Sequence, residues 1–171
     1  MNIRAAAVVV TVPILVSGIG IGTAVLWASD LPDRIAEQWT DSAVTSTTSI
    51  SGIVLYLAVS GLTIAVFSGV ATIRTGSRVG TVSSAGLGMA LSLFITVSLV
   101  GLMATQRGVV DPDSVQGPPV GWIGAAAAVS IVGGGIGALV VKMCLPRTSA
   151  RSVRARKSQS KAATDMSATV D

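Results

Sequence analysis

Four stretches without a single charged residue set the limits on this chain: Ala5 to Ala28, Ile50 to Ile73, Val82 to Met103 and Val120 to Val141, of 24, 24, 22 and 22 residues. A helix needs about 20 apolar residues to cross a bilayer core, whereas the apolar region of a signal peptide runs to about 7 to 15. Each run is therefore long enough to span. The first reads as a retained anchor: Leu26 is too large for the position three before a cut after Ala28, and the run is too long for a leader. Composition points the same way, since half of the 171 residues are hydrophobic and only 12% are charged, with mean hydropathy +0.74. Soluble domains carry about 25% charged residues. The expectation is an all-α, four-helix transmembrane bundle over residues 1–147, with a basic tail over 148–171 that lacks a hydrophobic face and is expected to be disordered in water.

The segments between the spans carry the polar residues. In Ser29 to Trp39, Asp30 can cap a helix, Pro32 suits a first turn, and Asp33 and Glu37 favour the positive end of a helix dipole. Leu31, Ile35 and Trp39 recur every fourth residue, which predicts a short interfacial helix with one apolar face and with Asp33, Arg34, Glu37 and Gln38 mostly on the other. Thr40 to Ser49 is rich in Ser and Thr and reads as a flexible return loop. Arg74, Gly76 and Arg78 make a brief turn that sets the second and third spans antiparallel. Ala104 to Pro119 is a second long loop, with Arg107, Asp111 and Asp113, and its Pro118-Pro119 suits a helix start.

The pattern Leu31-Pro32-Asp33-Arg34-Ile35 followed by Trp39, directly after a first span, resembles the extracytoplasmic motif of the bacterial domain of unknown function found at the N-terminus of SdpI-type toxin-immunity membrane proteins. The likeness covers about the first quarter of the chain. Ala36 stands at the place of that motif's second proline and Gln38 at the place of its histidine, while Asp41 corresponds to a later Asp. The resemblance implies a multi-pass bacterial membrane protein in toxin immunity or envelope signalling, with Leu31, Pro32, Asp33, Arg34, Ile35 and Trp39 as the motif that meets a ligand. It implies no enzyme.

Basic residues orient the spans, because Lys and Arg accumulate on the cytoplasmic side. Ten of the twelve fall on the side of the termini and the Arg74 to Thr81 turn; only Arg34 and Arg107 lie opposite. Six of the eight acids, Asp30, Asp33, Glu37, Asp41, Asp111 and Asp113, share that opposite side. Both termini are thus expected in the cytoplasm of a cell-membrane protein, with Trp27, Trp39 and Trp122 at the outer interface. Anionic lipid is the expected partner of the tail, and the net charge of +4 reflects topology rather than a nucleic-acid surface.

Helices in lipid associate by close packing, so small residues spaced by four mark contact lines. Gly18 and Gly22 form such a line in the first span, Gly61, Ala65 and Gly69 in the second, Ser84, Gly88, Ser92 and Thr96 in the third, and Ala126, Ser130, Gly134 and Ala138 in the fourth. No Asp, Glu, Lys, Arg or His interrupts a span, which argues against an ion-coupled transporter. The chain has no histidine, so the common Cys/His zinc patterns and the ordinary triad base are missing. The outer acids match no calcium loop and read as a solvated surface; Gly18-Ile-Gly20-Ile-Gly22 lacks the strand and lysine of a phosphate loop; Cys144 reads as a packing residue beside Lys142 and Arg147. No catalysis, cofactor or metal is expected. Two functions stay open: an envelope sensor or immunity protein acting on a peptide or toxin through its outer loop, or a non-catalytic structural subunit of another membrane protein.

Overall fold

The computed structural model describes residues 3–40, 43–75, 77–115, 117 and 120–145. Four long helices dominate it: α1 (Ile3–Leu26), α2 (Ile50–Thr75), α3 (Arg78–Ala104) and α4 (Val120–Cys144). All four are long and apolar enough to cross a membrane. Backbone groups with no water to bind close their hydrogen bonds within each helix, which is why runs of such composition take this form. The helices extend beyond the uncharged runs at the end nearer the termini. Arg78 opens α3, and its Nη2 donates to the Lys142 carbonyl at 3.0 Å, so a long basic side chain caps the last turn of α4. Hydroxyls cap two helix starts: Ser77 Oγ accepts from Gly80 N, and Ser49 Oγ from Gly52 N.

Small residues decide which faces meet. On α2, Gly61, Ala65 and Gly69 are buried, and a Cβ at Gly61 would collide with the Ser17 side chain of α1. On α3, Gly88, Ser92 and Thr96 are buried, with Gly88 against Ser68 of α2. A second face of α3 meets α4, where backbones come closest: a Cβ on Gly134 would stand 2.9 Å from the Gly86 carbonyl oxygen, and one on Gly86 3.0 Å from the Gly134 oxygen. Thus α3 is the central helix, packed on α1, α2 and α4, while α4 rests on α3 and barely touches α1. Where α1 and α4 fail to close, an apolar crevice of about 100 Å³ runs past Val12, Pro13, Met89 and Ile136.

Two expectations need correction here. Gly18 and Gly22 are exposed and a Cβ on either would meet nothing within 4 Å; α1 instead turns Pro13, Ser17, Gly20 and Ala24 inward, and Gly20 is the close-approach residue, against Thr96 and Leu57. The spacing of two glycines identified a line but not the buried side of a helix that is apolar all round.

The second correction concerns residues 29–39, which form no interfacial helix. A single 3₁₀ turn, Ala28–Asp30, ends at Leu31, whose φ of −99° and ψ of 148° are extended. Pro32 is the physical reason, because the ring clashes with a helical residue before it. Strand β1 (Ile35–Thr40) follows and pairs antiparallel with β2 (Ala43–Thr48), from Ile35 opposite Thr48 to Thr40 opposite Ala43, with the register irregular around Gln38. The expected return loop is therefore largely the second strand. Val44, Thr45, Thr47 and Thr48 are β-branched and suit it, and an isolated helix of about a dozen residues would be marginal in any case.

Candidate functional site

Among the described residues every Asp and Glu lies where this hairpin closes the bundle, at the end away from the termini. Leu31 and Ile35 plug that end: Ile35 is fully buried, and both join Ala24, Ile53, Leu57, Leu102 and Met103 in one apolar cluster. Burying side chains of this kind contributes about 1.5–3 kcal/mol each, enough to hold a hairpin that two strands alone would not sustain.

Above the plug sits a fully buried amide, Gln106. Its Nε2 donates to the Ala36 carbonyl at 2.9 Å, and its Oε1 accepts from Ala36 N at 2.8 Å. The side chain thus presents β1 with the donor and acceptor that a third strand would have offered. Nε2 also reaches the Leu102 carbonyl at 3.4 Å. Unpaired, the peptide groups of Ala36 would each cost about 1–3 kcal/mol at this depth. The chain leaves α3 through a tight turn in which Gly108 takes φ of +74°, a left-handed conformation that glycine adopts without strain. That turn lets Gly108 N donate to the Asp30 carbonyl at 2.7 Å.

Beside the clamp, Arg107 Nη2 lies 2.6 Å from Asp30 Oδ2, both side chains nearly half exposed, and its guanidinium sits 4.8 Å above the Trp27 ring. An exposed pair of this kind contributes about 1 kcal/mol or less. Its value is positional, since it fixes a cation and an anion at the rim of an open groove of about 710 Å³. Asp30, Leu31, Pro32 and Asp33 form one wall, with Arg107 to Val110 opposite. Trp39 points elsewhere: its Nε1 donates to the Val115 carbonyl at 3.1 Å, tying β1 to the loop before α4, where Asp111 Oδ1 caps a 3₁₀ turn by accepting from Asp113 N.

The six motif residues therefore separate. Leu31 and Ile35 are core, Pro32 is buried at the groove wall, Asp33 is exposed on the groove, Arg34 is exposed outside its lining, and Trp39 braces the hairpin. Gln106 and Arg107 are the residues that sequence reasoning passed over. Their partners lie 70 and 77 positions away, so no local pattern marks them. Among the described residues no three of the Asp, Glu or Cys side chains come together as metal ligands. Cys144 is exposed in the last turn of α4. Asp41, Gly76, Pro118, Pro119 and the tail lie outside the described residues. No protein-family model, curated protein or solved structure matches this chain.

Proposed function

We propose that this multi-pass membrane protein is a non-catalytic envelope sensor or immunity protein of the bacterial cell membrane, which meets a peptide or toxin at its hairpin end. The observation that carries this reading is the groove rimmed by Asp30, Asp33 and Arg107 and mounted on the Gln106 clamp. Opposite charges held at a fixed spacing suit a peptide, which offers both an ammonium and a carboxylate. A ligand that takes Arg107 from Asp30 acts at the C-terminal end of α3, the helix that touches all the others and whose first turn holds the end of α4. Such a ligand biases that helix only to the extent that it binds one arrangement better than another.

The proposed orientation puts the hairpin end outside and both termini in the cytoplasm, on the basis of ten basic residues against two. A photo-crosslinking amino acid at position 33 in intact membranes tests the reading. A peptide or protein adduct is expected, and it should disappear in Asp30→Asn and Arg107→Ala, variants that stay folded with a stability loss of about 1 kcal/mol or less. A folded protein that captures nothing from position 33 would remove the sensor reading.

A structural subunit is the second reading, favoured by the lipid-facing side of α4, where Gly121, Gly124 and Gly135 stand in open space. Leucine at positions 124 and 135 should then release a co-purifying membrane protein while the crosslink from position 33 persists.

A further inference from the structure

A second groove, of about 480 Å³, lies on another flank of the hairpin, between β1, β2 and the facing ends of α3 and α4. Its lining divides by chemistry. The hairpin supplies Glu37, Gln38, Thr40 and Thr45, all exposed, and the helices supply Leu99, Leu102 and Ile123, with Trp39 between the two sets. The Trp39 ring is fixed as a wall by its bond to the Val115 carbonyl. Ser98 adds a buried hydroxyl that has no partner among the described residues.

Depth identifies what such a groove meets. With 27 residues, α3 is about 40 Å long against a hydrocarbon core of about 30 Å, so roughly 5 Å of it projects at each end. With α3 centred on that core, Ser98 to Leu102, about 3 to 9 Å below its last residue, fall at the boundary between acyl chains and headgroups. The apolar floor faces chains and the polar hairpin faces headgroups.

Charge narrows the headgroup. Glu37 is the one charged residue in the described lining, and no Lys or Arg is there to hold an anionic lipid. Its Oε1 accepts from Ser46 Oγ at 2.9 Å, which orients the carboxylate and leaves Oε2 for another donor. The amide of Gln38 and the hydroxyls of Thr40 and Thr45 are neutral donors suited to a phosphate.

We propose that this groove binds one phospholipid with a primary-ammonium headgroup, the ammonium on Glu37, the phosphate on the neutral donors, and an acyl chain along Leu99 and Ile123. The site is independent of the peptide groove. A quaternary ammonium cannot donate to Glu37, and an anionic headgroup brings no cation to it.

Native mass spectrometry of the full-length protein, offered equal amounts of phosphatidylethanolamine, phosphatidylcholine and phosphatidylglycerol with identical chains, tests the proposal. A single-lipid adduct enriched at least fivefold in phosphatidylethanolamine is expected. Glu37→Gln keeps the acceptor for Ser46 and the shape of the groove, so it should bring the three lipids near parity at unchanged melting temperature. Leu99→Trp, filling the floor, should reduce adducts of all three. Equal adducts of the three lipids on the wild-type protein, or an enrichment that survives Glu37→Gln, would overturn the proposal, as would a peptide crosslinked from position 37 in native membranes in place of lipid.

Discussion

The hairpin end and the middle of the bundle are held together by opposite means. In the middle, cohesion comes from the absence of side chain: Gly86 and Gly134 let two backbones touch, and Gly61, Gly88 and Gly20 admit their neighbours in the same way. Lipid is as apolar as the helices, so burial there gains little and close contact is what remains. At the hairpin end, cohesion comes from particular side chains. Ile35 fills the mouth of the bundle, Gln106 completes the strand, and Trp39 and Arg107 each bridge segments more than 70 residues apart in sequence. A packed seam tolerates no addition; a bonded cap tolerates no deletion.

Substitutions can break that contrast in order of expected effect. Gly134→Leu should do the most harm, about 3 kcal/mol or more, because the new side chain meets Gly86 backbone and Ala90 rather than a movable tip. Thermal unfolding in detergent should show a large drop or loss of the folded protein, and an unchanged midpoint would mean that α3 and α4 do not touch at this point. Gln106→Ala should cost about 2–3 kcal/mol by stranding both peptide groups of Ala36. Hydrogen exchange should rise at residues 35–40 and stay low in the spans; exchange rising equally in both would make cap and bundle one unit.

Trp39→Phe keeps an aromatic ring, though a smaller one, and removes the bond to Val115, for a loss of about 1 kcal/mol. Arg107→Ala should cost about 1 kcal/mol or less, since the Asp30 pair is half exposed. A larger loss would mean that the ion pair holds the fold rather than serving the groove. Gly18→Leu should change stability by less than about 0.5 kcal/mol, since the position opens to lipid. A large destabilisation there would instead place a helix, from this or another chain, against that face.

The same contrast explains what the sequence made legible. Four uncharged runs located four helices to within a few residues, because a bilayer penalises charge at every position and so writes its boundaries locally. The starts drifted where basic residues reach past the core: α3 begins at Arg78 rather than Val82 because Arg78 finds the end of α4. The hairpin was misread since Leu31, Ile35 and Trp39 fit a helical face as written, while Ile35 and Trp39 equally fit one side of a strand. What decided it was Pro32, read as a helix start but forcing Leu31 to extend, and a glutamine far along the chain. Likewise, glycine spacing disclosed the buried lines of α2 and α3 but misassigned that of α1, whose inner line includes a proline and a serine.

The glutamine clamp also imposes a schedule on biogenesis. The β1 edge emerges 70 residues ahead of Gln106, and the partner can arrive only after α2 and α3 have both been threaded into the bilayer. At about 5 to 20 residues per second, that is a delay of roughly 4 to 14 s. For that interval the nascent hairpin presents an open edge to whatever strand or chaperone is near, and closing it marks the moment when the third helix has reached its final depth.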